Sequence, residues 1–145
     1  MSQPTYDDAE LILKLYDLRR EERLRVARAW FVSNFSARSV SEVMEKYPPG
    51  SDQNAYYRMV STYWDMAASF VVRGIVHEEL FFDSSGELLA VWEKMKDLVA
   101  DLRAVRKNPI LYKNLEKGAN QYIAWLNRQA PEAYEGIRTM FAPKK

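Results

Sequence analysis

Between Glu87 and Lys107 the apolar residues Leu88, Val91, Met95, Leu98, Leu102 and Val105 recur at intervals of three and four without a break. That spacing gathers side chains on one face of an α-helix and would scatter them over both faces of a strand. Trp92 and Val99 widen the stripe to the breadth that a bundle helix buries. A similar period runs along most of the chain. The five glycines and six prolines in 145 residues lie almost entirely between the periodic segments. Breakers confined to the joints predict an all-α fold.

The joints divide the chain as follows. A first helix is expected from about Thr5, whose hydroxyl can cap it with Asp7 and Asp8 at the positive end of the dipole, to about Asn34. Such a helix is roughly 43 Å long. A globule of this size has a radius of gyration of about 15 Å, so the helix must bend, span the molecule or project from it. A short helix over Val40 to Tyr47 follows, with Ser39 and Glu42 in capping-box spacing and Pro48-Pro49-Gly50 as its stop.

Ser51 or Asp52 then caps a helix from about Gln53 to Arg73, which Gly74 ends. Its expected apolar stripe is Tyr56, Met59, Val60, Tyr63, Ala67, Phe70 and Val71; Arg58, Thr62, Asp65, Ser69 and Arg73 fall opposite. A helical turn is expected between Ile75 and Asp83, after which Ser84 and Glu87 form a second capping-box pair. Asn108-Pro109 closes the helix that follows and opens another, carrying Tyr112, Leu115, Ala119, Tyr122 and Leu126. Pro131 opens a last short helix with Tyr134 and Ile137, and Pro143-Lys144-Lys145 is expected to fray. Four long helices with mostly short connections predict one domain over residues 1–145, an antiparallel bundle with two or three short accessory helices.

Composition narrows the function. Lys plus Arg number 21 against 20 for Asp plus Glu, so no net field draws the chain to phosphate backbones or anionic lipid, and no nucleic-acid partner is expected. The longest stretch without a charge is the ten residues Gly118 to Asn127, too short to cross a bilayer. The N-terminus shows no basic start followed by an apolar run, and cysteine is absent, so a cytoplasmic location is expected. Absent cysteine also removes disulfides, thiolate metal sites and cysteine catalysis. The glycines are too dispersed for a dinucleotide fingerprint or a P-loop. The single histidine cannot supply the Glu-x-x-His pairs of a di-iron bundle. No cofactor is expected.

Four features remain as site candidates. His77, Glu79 and Asp83 could hold a cation or move a proton if one helical turn brings them together, although polar residues at a helix corner explain them as well. Asp65 lies among Tyr63, Trp64, Met66, Ala67 and Ala68, either on a partly exposed polar strip or buried against an arginine of the first helix. Asp17 to Arg28 holds five arginines beside three acids, an anion contact or a solvated face in which Glu21 and Glu22 pair with Arg25. Within it Arg20 falls where the line Leu13, Tyr16, Leu24, Ala27 and Phe31 calls for an apolar residue, which suggests that it reaches across an interface to Asp65. Finally, adjacent aromatics on a helix diverge by about 100°, so Trp30, Tyr57, Trp64 and Trp125 are candidates for a second surface.

The run from Tyr63 through Trp64, Asp65, Met66, Ala67, Ala68, Ser69, Phe70, Val71, Val72, Arg73, Gly74, Ile75, Val76, His77, Glu78, Glu79, Leu80 and Phe81 to Phe82, followed by Val91-Trp92-Glu93, resembles a family of small all-helical bacterial proteins of unknown function. The resemblance implies helical architecture and carries no catalytic residues. The expectation from the residues is therefore a non-enzymatic helical domain acting through protein–protein contact, as a homodimer or with a partner protein. The alternative is a bundle with an aromatic-lined small-molecule pocket near Asp65 or His77.

Overall fold

A computed structural model of the chain describes residues 2–143. Among these residues it is all-helical, with α1 (Tyr6–Arg19), α2 (Glu22–Asn34), α3 (Val40–Lys46), α4 (Asp52–Val72), α5 (Glu78–Asp83), α6 (Gly86–Arg106), α7 (Lys113–Gln129) and α8 (Ala133–Phe141). Thr5 caps α1 in a full capping box with Asp8, and Ser39 and Ser51 cap α3 and α4. Gly74, at φ +72°, lets Ile75 N–H reach the Phe70 carbonyl and its own N–H reach that of Val71, satisfying carbonyls that the end of α4 leaves open.

The expected first helix is broken. At Glu21 the backbone turns extended (ψ 138°), and the Glu21 carboxylate accepts hydrogen bonds from Arg23 N–H and Leu24 N–H, both at 3.0 Å. A side chain read as an ion-pairing partner for Arg25 instead caps a new helix. The bend leaves α1 and α2 following one another along α4, with Asp8 of α1 reaching the His77 N–H before α5, Leu15 and Arg19 meeting Tyr63, and Phe35 after α2 meeting Tyr57.

Helix α4 is the centre of the bundle, packing on α2, α6 and α7. Its buried face is Tyr57, Val60, Ser61, Tyr63, Trp64, Ala67, Ala68 and Val71. Tyr56, Met59 and Phe70, expected inside, are half-buried, because the buried arc is shifted round the helix to take in Tyr57, Ser61, Trp64 and Ala68. The most extensive interface, α4 on α7, is parallel: Ser61 meets Tyr112, Asp65 meets Leu115 and Ala68 meets Gly118 in ascending order. Antiparallel order holds for chain neighbours such as α6 and α7, where Arg103 pairs with Glu116 at one end and Gly86 meets Tyr122 at the other. Close approach of α4 and α7 depends on Gly118, since a Cβ there would lie 2.8 Å from the Ala68 Cβ.

Three smaller expectations also change. Val105 is exposed because α6 extends past its neighbours, so the stripe ends at Leu102. Ser84 and Glu87 form no capping box; α6 begins after Ser85 without a side-chain cap, and the Glu87 carboxylate turns into the bundle. Pro143 is buried and its carbonyl accepts from Arg38 Nη2 at 2.8 Å, so this end of the chain is held; Lys144 and Lys145 lie outside the described residues.

Candidate functional site

The concavity with the most chemistry lies between α3, the first half of α4 and the last half of α6. Sequence-local choices set its walls. Ser39 caps α3, and Asp101 from α6 accepts the Val40 N–H at 2.7 Å, which fixes α3 across α6. The Pro48–Gly50 turn then sends the chain back into α4, with Asn54 Nδ2 donating to the Tyr47 carbonyl at 2.8 Å. The resulting cleft holds about 300 Å³. Val40, Val43, Met44, Pro49, Leu98 and Leu102 form its apolar wall, while Asn54, Tyr57, Arg58 and Arg106 supply the polar groups.

Arg58 Nε donates to Asn54 Oδ1 at 2.9 Å, which orients the guanidinium over the cleft. The Tyr57 ring is buried against Phe35 (centroids 5.4 Å apart), and among the described residues its hydroxyl has no hydrogen-bond partner. Burial pushes the Tyr57 hydroxyl above its ordinary pKa, while the Arg106 and Arg58 guanidiniums nearby pull it back. Behind it, Tyr112 shares a 2.8 Å hydrogen bond with Ser61; burial raises its hydroxyl too, against the opposing effect of that bond.

A second polar assembly sits where α1 bends into α2. Arg28 grips Glu87 through Nε and Nη2 (2.9 Å each) and donates through Nη1 to the Arg19 carbonyl at 3.1 Å. Trp64 Nε1 donates to the same Glu87 carboxylate at 2.9 Å. Arg19 is buried, 5.0 Å from the centroid of the Trp64 ring, and donates to the Tyr63 hydroxyl, which in turn donates to the Leu15 carbonyl. The hydrogen bond to Glu87 holds Arg28 more firmly protonated. These groups pair with one another across α1, α2, α4 and α6, and so the assembly pins the bend.

A family model described as DUF4760, a domain of unknown function, matches residues 4–142. The chain belongs to this family. No curated protein and no solved structure matches it. Membership in DUF4760 agrees with the all-helical fold and leaves the activity to be argued from the site.

In this DUF4760 chain most of the sequence-selected residues serve the architecture. Arg20 is exposed and stacks toward Tyr16; Arg19, one position earlier, is the buried arginine, because the break at Glu21 rotates the helix away from a continuous register. Among the described residues Asp65 forms no ion pair with an arginine. Its carboxylate accepts the Leu115 N–H at 2.9 Å and so caps α7, whose own N-cap Tyr112 offers no side-chain bond. His77 caps α5: Nδ1 accepts from Leu80 N–H, Nε2 lies 2.8 Å from the Ser2 carbonyl and therefore carries the proton, and the backbone N–H donates to Asp8. His77, Glu79 and Asp83 do border one shallow groove, but among the described residues no three such groups stand close enough to hold a metal ion.

Of the aromatic candidates, Tyr57 and Trp64 point inward and cannot form an outer surface. Trp30 is half-buried against Tyr47, Phe35 and Tyr56. Trp125 is half-buried against Phe82 and Tyr122, with its Nε1 shut from solvent and without a hydrogen-bond partner among the described residues.

Sequence reasoning missed Asn54, Arg58 and Arg106, which read singly as ordinary polar residues of amphipathic helices. It also missed Glu93. That side chain is fully buried, accepts from Tyr134 at 2.9 Å and pairs with Lys96 at 2.8 Å. Burial and the Glu93 carboxylate push the Tyr134 hydroxyl up to about 12. The available signal for Glu93 is its place one turn after Leu89 and Ala90, a second buried row on α6 that faces α8.

Proposed function

We propose that the chain is a small-molecule-binding helical domain whose ligand occupies the cleft between α3, α4 and α6. The observation that carries this reading is the junction, in one concavity of about 300 Å³, of an apolar wall with unpaired polar groups from two helices. Ligand sites share that make-up: mostly apolar lining, a few convergent polar groups, and volumes from about 300 Å³ upward. The aromatic lining expected near Asp65 or His77 is replaced by an aliphatic one with a single tyrosine.

A small-molecule screen by thermal shift tests the reading, with hits checked by NMR. A true ligand perturbs the resonances of Val43, Tyr57 and Leu98 and loses binding to Met44→Trp, which fills the mouth from a half-exposed position. Hits that leave those resonances unmoved, or that bind Met44→Trp as well as the parent, refute it.

Self-association is the second reading, supported by the apolar surface of α1. Tyr6, Leu13, Tyr16 and Leu18 are all more than half exposed there. Sedimentation across a range of concentrations tests it: a mass that rises with concentration and falls in Leu13→Glu supports a dimer through α1, and a constant monomer mass removes it.

A further inference from the structure

The cleft is chemically lopsided, and the lopsidedness specifies a ligand class. Its charged lining is entirely cationic: Arg58 and Arg106 border it and no carboxylate does. Neither arginine takes part in an ion pair among the described residues, although Arg28, Arg38, Arg103 and Arg138 all do. Arg58 comes from the first half of α4 and Arg106 from the last turn of α6, so the tertiary fold alone sets them around one opening. The Tyr57 hydroxyl is a third donor in the same cleft, without a hydrogen-bond partner among the described residues. Arg58, Arg106 and Tyr57 line this one cleft together, and both guanidiniums favour the ionised form of the Tyr57 hydroxyl. Val40, Val43, Leu98 and Leu102, which also line it, offer no side-chain hydrogen bond and suit hydrocarbon.

Size bounds the ligand further. A cleft of about 300 Å³ lies at the small end of the range for ligand sites, so the ligand is a short one. Guanidinium forks recognise the paired oxygens of carboxylates and phosphates through parallel N–H bonds, and a phenol adds a donor. We infer that the cleft binds a short apolar chain or ring ending in an oxyanion, with the head held between Arg58, Arg106 and the Tyr57 hydroxyl and the body laid on Val43, Leu98 and Leu102. This inference rests on the cleft reading proposed above and adds the sign and placement of the ligand's charge.

The test is calorimetric titration of the full chain with octanoate, octyl phosphate, octanol and octylamine, eight-carbon chains that differ in their head group. Octanoate or octyl phosphate binds at least about tenfold more tightly than octanol, and octylamine more weakly than octanol; the tighter of the two anions identifies the head group. Arg106 is exposed, so Arg106→Gln leaves the fold intact. That substitution weakens the anion by about tenfold and leaves octanol unchanged. Tyr57→Phe keeps the buried ring and weakens the anion by a smaller factor. Added salt lowers anion affinity and not that of octanol. Equal binding of octanol and the anions, or an anion affinity untouched by Arg106→Gln, overturns the inference and leaves the cleft reading standing if Met44→Trp still abolishes binding. Failure of all four probes overturns the inference, and the screen described above then decides the cleft reading separately.

Discussion

Gly118→Ala tests whether the parallel contact of α4 on α7 depends on a missing side chain. The added Cβ would sit 2.8 Å from the Ala68 Cβ, 3.6 Å from its Cα and 3.7 Å from Leu88 Cδ2. Carbon atoms in contact prefer about 3.5–4.0 Å, so the first of these distances requires movement. The obstructing atom is a Cβ fixed to the backbone of α4, so no rotamer change relieves it. Overpacking of this kind costs about 1–3 kcal/mol, and a fixed obstacle places this case at the upper end. Replacing a mid-helix glycine by alanine returns about 1 kcal/mol through backbone entropy. The net expectation is a loss of about 2 kcal/mol, or ~6 °C in Tm for a domain of this length. Urea denaturation measures it. Ala68→Gly in the same chain moves the single Cβ from one helix to the other and cancels the helix-propensity terms. The double variant should therefore return to within about 1 kcal/mol of the parent; with about 1 kcal/mol expected for Ala68→Gly alone, the coupling is roughly 3 kcal/mol. A Gly118→Ala protein as stable as the parent, or one not rescued by Ala68→Gly, refutes the close-packing argument.

Glu87→Ala strands the partly buried Arg28 and the Trp64 indole, and should cost about 2–3 kcal/mol; a chemical denaturation midpoint equal to the parent's would contradict the role assigned to Glu87. Tyr134→Phe leaves one oxygen of the fully buried Glu93 unpaired, and a loss of about 1–3 kcal/mol, with faster hydrogen exchange in α8, is expected. The Tyr134 pKa is raised in the fold, so its contribution is complete below the ordinary value of 10.0 and is lost as pH rises through about 12; a spectrophotometric tyrosine titration in which Tyr134→Phe removes no late step would disprove this. Glu21 has the opposite sign. Hydrogen bonds from Arg23 N–H and Leu24 N–H hold its pKa below the ordinary 4.5, so it supports the bend above that value and the support fades as pH falls through the lower folded one. The amide shifts of Arg23 and Leu24 should therefore titrate in acid, and Glu21→Gln should abolish that change.

Much of the fold was legible because its signals are local. The three-four spacing of α6, the Thr5, Ser39 and Ser51 caps, and the Gly74 stop act over one or two turns of backbone, and each stands where the spacing placed it. The break in the first helix was not legible, since Glu21 can pair with Arg25 in a continuous helix or cap a new one in a bent helix. The choice is made by what the bend brings together: Arg19 with Tyr63 and Trp64, and Arg28 with Glu87. The same ambiguity misassigned the capping role of Glu87 and shifted the buried arginine from Arg20 to Arg19.

Sequence alone determined that this chain is helical and where most helices begin and end, because periodicity, caps and breakers are properties of neighbours along the backbone. Only the tertiary structure decided that α4 lies parallel to α7 against Gly118, that Asp65 caps a helix fifty residues away, and that Arg58, Arg106 and Tyr57 share one cleft. Those outcomes depend on which faces meet across long separations, where the free energy is set by shape, burial and pairing between distant segments rather than by any local preference.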